Sequence, residues 1–133
     1  MQFRHLDMLP QPACAALRHR RRQLLARIRA LCASPDAEFA RRFPDTVAAV
    51  EAAFRHEEAL LDLLGEACLH PRLADHAVIL CALHRTASQV ERGDLALGRQ
   101  VAAALTALLG QPGGLPPPAA MSAPAHPAAP APA

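Results

Sequence analysis

The chain has 133 residues, a formal net charge of +2, 52% hydrophobic and 3% aromatic residues, and neither Trp nor Tyr. That length suits one domain with one core. With aromatics this scarce, the core is expected to be built from Leu, Ala, Val and Ile, a composition that leans to all-α structure. The small net charge gives no ground for a nucleic-acid or acidic-lipid partner. No apolar run approaches a transmembrane helix. The expected partner is therefore an unidentified protein or a second copy of the chain, with neither nucleic acid nor membrane.

All 14 Lys/Arg positions are Arg. Selection for planar, bidentate contacts would favour this. A GC-rich coding bias explains it more simply, because the same bias writes an Ala/Pro-rich tail. Cys14, Cys32, Cys68 and Cys81 form no C-x-x-C pair or zinc-like spacing. Each lies in an apolar helical context, so free, buried, reduced thiols are expected. Residues 1–9 lack the continuous apolar segment of a signal peptide, and a cytoplasmic location is expected.

In chain order, residues 1–11 read as a short arm. A first helix is predicted over 12–33, with Pro12 tolerated in the first turn and Ser34-Pro35-Asp36 as the stop. A second is predicted over 46–67; it either starts there or begins near Asp36 with Pro44 as a kink or break. A third covers 71–92 and ends at Gly93, and Asp94 then caps a fourth that reaches Leu109 and closes at Gly110. Residues 111–133 are Pro, Ala and Gly-rich without Asp, Glu, Lys or Arg, a low-complexity tail expected to be disordered or locally extended. Short connections between four helices predict an antiparallel up-down-up-down bundle over 1–110.

At about 100° per residue, each helix has an apolar stripe. The first carries Cys14, Leu17, Leu24, Leu25, Ile28 and Cys32, with Arg21 in the middle. The second carries Val50, Phe54, Leu60, Leu61, Leu64 and Cys68, with Glu57 at its centre and His56 and Glu58 flanking. The third carries Leu73, Leu80, Leu83, Ala87 and Val90, with Arg72 and His76 on the same face. The fourth carries Leu97, Val101, Ala104, Leu105 and Leu108, and no inward ionisable group. An unpartnered buried charge costs several kcal/mol. Arg21, Glu57, Arg72 and His76 are therefore candidates for one polar network on the bundle axis. The alternative is that the arginines snorkel, laying their stems over apolar surface with their heads in water.

Three segments carry a resemblance. Ala53-Phe54-Arg55-His56-Glu57-Glu58 is similar to the hemerythrin signature H-F-x-x-E-E, Arg72-Leu73-Ala74-Asp75-His76 to that family's H-x-x-x-H, and Arg21-Arg22-Gln23-Leu24-Leu25 to its H-x-x-L-L. The resemblance implies a four-helix bundle that holds two irons with five histidines, one glutamate and one aspartate, and binds dioxygen. Carried over residue by residue, it puts Arg21, Ala53 and Arg72 where histidines would stand, and keeps Glu57 and His76 as metal-position residues. The fourth-helix ligands would fall among residues 112–117, in the Pro-rich tail, where neither is present. Two cations in the cavity would also repel Fe²⁺.

The resemblance thus implies a bundle without a functional diiron site, in which guanidiniums neutralise Glu57. No cofactor is expected, and the activity expected is that of a non-enzymatic binding or regulatory module. A different function would keep non-haem iron on Glu57 and His76 with a substitute ligand from His19, His56, His70 or His84. A plain helical interaction protein is the third possibility. No nucleophile–base constellation or phosphate loop is evident in the sequence. The basic run Arg18-His19-Arg20-Arg21-Arg22 reads as a solvated helix face before it reads as an anion contact.

Overall fold

A computed structural model describes residues 11–63, 65 and 69–111. It contains four helices: α1 (Gln11–Cys32), α2 (Asp36–Leu63), α3 (Leu69–Glu91) and α4 (Leu95–Leu109). No strand occurs among the described residues. The chain is an all-α four-helix bundle. Of the expected N-terminal arm, residues 1–11, Gln11 opens α1, and residues 1–10 and the tail beyond residue 111 lie outside the described residues.

Local chemistry sets the helix ends. The Ser34 hydroxyl donates to the Ala30 carbonyl at 2.9 Å, and the Pro35 carbonyl accepts from Phe39 N–H at 2.8 Å to open α2. Asp36 and Glu38 lie in the first turn of α2, where the helix dipole favours negative charge. Between α3 and α4, Gly93 adopts φ 100°, which glycine tolerates without steric penalty. Asp94 N–H then reaches Gln89 O at 2.9 Å and Gly93 N–H reaches Val90 O at 2.9 Å, a Schellman closure. The Asp94 carboxylate also caps α4 by accepting from Leu97 N–H at 3.1 Å.

The second helix takes the earlier of its two expected starts, and Pro44 lies inside it. An interior proline removes a ladder hydrogen bond and costs about 3 kcal/mol. The offset is visible in the flanking turn, where Phe39 and Phe43 are buried with ring centroids 5.5 Å apart. These rings tie the pre-proline segment to the core. The helix ends at Leu63, short of the expected residue 67.

Each helix packs on the next, and α4 closes against α1. The core is built from Leu24, Ile28 and Leu31 of α1, the Phe39–Phe54 face of α2, Leu83 and Val90 of α3, and Ala102, Leu105 and Leu109 of α4. Gly98 sets the approach of α4: a Cβ there would lie 2.6 Å from Val90 Cγ2 and 2.8 Å from Phe39 Cε1.

Four expectations need correction. Leu73, placed on the α3 stripe, is 40% exposed, because that stripe turns through His76, Leu83, Thr86 and Val90 instead. Ala104 is exposed, and α4 buries Gly98, Ala102, Leu105 and Leu109. Cys81 is exposed and Cys32 half-buried, both as free thiols, while the side chains of Cys14 and Cys68 lie outside the described set. Lastly, α4 does contribute an inward-reaching ion. The Arg99 guanidinium lies 4.5 Å over the Phe39 ring and donates to Cys32 O (3.0 Å), Ser34 O (2.7 Å) and Asp36 Oδ1 (2.8 Å). It satisfies carbonyls at the end of α1 that the helix itself cannot. No helix is long and apolar enough to cross a membrane among the described residues.

Candidate functional site

The polar residues expected on the bundle axis meet in one cluster. Glu57 is its hub, projecting from α2 one turn beyond Ala53 and Phe54. Its Oε1 accepts from Arg21 Nη2 of α1 at 3.2 Å. Its Oε2 lies 3.6 Å from Arg72 Nε and 3.7 Å from His76 Nε2, both on α3. Side-chain exposure is 24% for Arg21, 13% for Glu57, 12% for Arg72 and 1% for His76. Those values argue against snorkelling, which would leave the guanidinium heads in water. One carboxylate thus ties three helices together.

His76 is the most enclosed member. Its ring stacks on Phe54, with centroids 3.8 Å apart and planes 8° from parallel. Its Nδ1 lies 2.6 Å from Glu58 Oε2. That distance is a hydrogen bond between the imidazole and the Glu58 carboxyl group. The opposite nitrogen, Nε2, is buried without a hydrogen-bond partner. Glu58, expected only to flank the core, is therefore a member of the cluster. Periodicity placed Glu58 about 100° round the helix from Glu57, and the packing of α3 against α2 brings it to His76.

Two guanidiniums and two carboxylates thus surround His76. Ala53 leaves a small cavity of about 20 Å³ beside Arg21, Glu57, Phe54 and Leu24. That volume holds about one water and no larger ligand.

The other histidines among the described residues do not join the cluster. His19, His56, His70 and His84 are exposed. His84 Nε2 instead approaches Glu51 Oε1 at 3.9 Å. No group of three His, Cys, Asp or Glu side chains placed to hold a metal ion occurs among the described residues. The iron implied by the resemblance would have to be held by Glu57, Glu58 and His76. His76 Nε2 lacks a hydrogen-bond partner, but the carboxylate beside it already faces two cations. A third, divalent cation at that point would meet repulsion from both guanidiniums at short range. The residues present do not fit iron.

The basic run of α1 divides. Arg21 turns inward, and Arg18, His19, Arg20 and Arg22 are exposed. No protein-family model, curated protein or solved structure matches the chain.

Proposed function

We propose that this chain is a hemerythrin-like bundle that has exchanged its metal centre for an ion-pair network and works as a non-enzymatic binding or regulatory module. One observation carries the reading. Arg21 and Arg72, which stand where the resemblance would put histidine ligands, both direct their guanidiniums at Glu57, the carboxylate it retains. In a diiron bundle the metal is the cation that neutralises inward carboxylates. Here guanidiniums fill that electrostatic role, and they link α1, α2 and α3 as a metal would. Both oxygens of Glu57 are engaged by the cluster, so activity is assigned to the surface of the bundle.

A second function, iron or oxygen handling through Glu57 and His76, is favoured by one feature: the buried His76 Nε2 that lacks a partner. Elemental analysis and visible absorbance separate the two. Protein produced in iron-rich medium is expected to carry no stoichiometric iron and to stay colourless after exposure to oxygen. One or two irons per chain, with an absorbance band that responds to oxygen, would overturn the proposal and establish the second reading.

A further inference from the structure

The outward faces of the four helices are unlike. On α1, Arg18, Arg20, Arg22, Arg27 and Arg29 are exposed, and on α2, Arg41, Arg42, Asp45, Arg55 and Asp62 are. Both faces are suited to water. From residue 70 to residue 84 of α3, no exposed residue is Asp, Glu or Arg. This face instead presents Leu73 at 40% exposure, Val78 at 67%, and exposed Ala74, Ala77, Cys81 and Ala82. The adjoining α4 continues it with exposed Ala96, Gln100, Ala103 and Ala107. A helix that is apolar on its outer as well as its inner side is one that expects cover on both.

We infer that the α3–α4 face is a self-association surface that pairs two copies of this chain about a two-fold axis, with α3 antiparallel to its counterpart. The charge pattern selects the occupant. Asp75 and Arg85 lie equally far on either side of Leu80, and neither has an ion-pair partner among the described residues. They fall about 80° apart on the same flank of the outward face. A two-fold axis at the level of Leu80 sets Asp75 of each copy opposite Arg85 of the other, and symmetry makes the pair twice. The same operation brings Val78 and Cys81 to the centre and leaves no like charges opposed. Such an interface is isologous: one patch is complementary to itself.

The size of the face fits a dissociable dimer. Two neighbouring helices about 10 Å wide and about 25 Å long offer roughly 500 Å² per copy, or roughly 1,000 Å² in total, the lower bound for a specific interface. The small side chains of the α4 flank permit close approach. The inference does not depend on the family reading: it would stand if iron were found.

The test is the mass of the full-length chain across a concentration series, by sedimentation equilibrium, with a short bismaleimide crosslinker as a second readout. Wild type is expected to move from monomer to dimer, and to crosslink through Cys81 in a way that Cys81→Ser removes. Val78→Glu, at an exposed position, is expected to keep its helical circular dichroism and shift the dissociation constant at least tenfold toward monomer. Asp75→Arg and Arg85→Asp should each weaken the dimer, and the double reversal should restore it. A chain that stays monomeric at every concentration would overturn the inference. So would a dimer indifferent to Val78→Glu and to charge reversal, because it would use another face.

Discussion

Replacing Glu57 with Ala is the sharpest probe of the axial cluster. The substitution removes the one carboxylate between Arg21 at 3.2 Å and Arg72 at 3.6 Å. At an effective dielectric near 20, a unit charge pair about 3.5 Å apart interacts by about 5 kcal/mol. Desolvation of the ions offsets much of that in the intact protein. Breaking a buried pair by removing one partner nevertheless costs about 3–5 kcal/mol, because a charge is stranded. Arg72 is 12% exposed and has little access to water, whereas Arg21 at 24% can relax toward solvent. The expected loss is therefore about 2–4 kcal/mol, toward the lower part of the buried-pair range. For a bundle of this size that lowers the melting temperature by roughly 10–25 °C. Thermal and urea unfolding followed by circular dichroism measure it. Glu51→Ala is the control: it removes an exposed i,i+4 pair with Arg55 and should change stability by less than about 0.5 kcal/mol. A Glu57→Ala loss no greater than the control's would refute the buried network and leave the arginines snorkelling.

Three further outcomes follow from the packing. Replacing the hub with apolar residues throughout (Arg21→Met, Glu57→Leu, Arg72→Met) should recover most of the stability that Glu57→Ala loses, since it strands no charge; a triple variant as unstable as the single one would contradict this in the same unfolding assay. Gly98→Ala should destabilise by about 1–3 kcal/mol, because its Cβ would enter the space of Val90 and Phe39; unchanged urea unfolding would show that α4 can retreat freely. Arg99→Ala should cost about 1.5–3 kcal/mol through the lost charge-assisted bonds to Cys32 and Ser34 carbonyls, with amide exchange accelerated at the α1–α2 junction. Uniform exchange there would mean that the turn holds without it.

Much of the fold was legible because its signals are local. Asp94, Gly93 and Gly110 are punctuation that the backbone obeys, and Ser34-Pro35 stops one helix and opens another. The inward placing of Arg21, Glu57, Arg72 and His76 was legible as well, since helical periodicity alone sets it. What periodicity left open was which of two neighbours turns toward a third helix. Glu58 reaches His76 because α2 and α3 pack closely there, and that is a tertiary fact. Arg99 was missed for the same reason. On a helical wheel it is a boundary residue, and only the position of Phe39 and the α1–α2 turn gives its guanidinium something to bond. Leu73 failed in the opposite sense: its hydrophobicity read as core, but the axis of α3 turns through His76 and away from it. An exposed Leu so close to Val78 is what pointed to a second apolar face.

We propose that guanidinium stands in the place of metal on the axis of this bundle. The most direct test is anaerobic titration of Fe²⁺ into the purified, metal-free full-length chain, with bound iron counted after removal of the excess and with the melting temperature followed in parallel. The account predicts no stoichiometric binding and an unchanged melting temperature. Uptake of one or two irons per chain, with a rise in melting temperature that Glu57→Ala or His76→Ala abolishes, would contradict it.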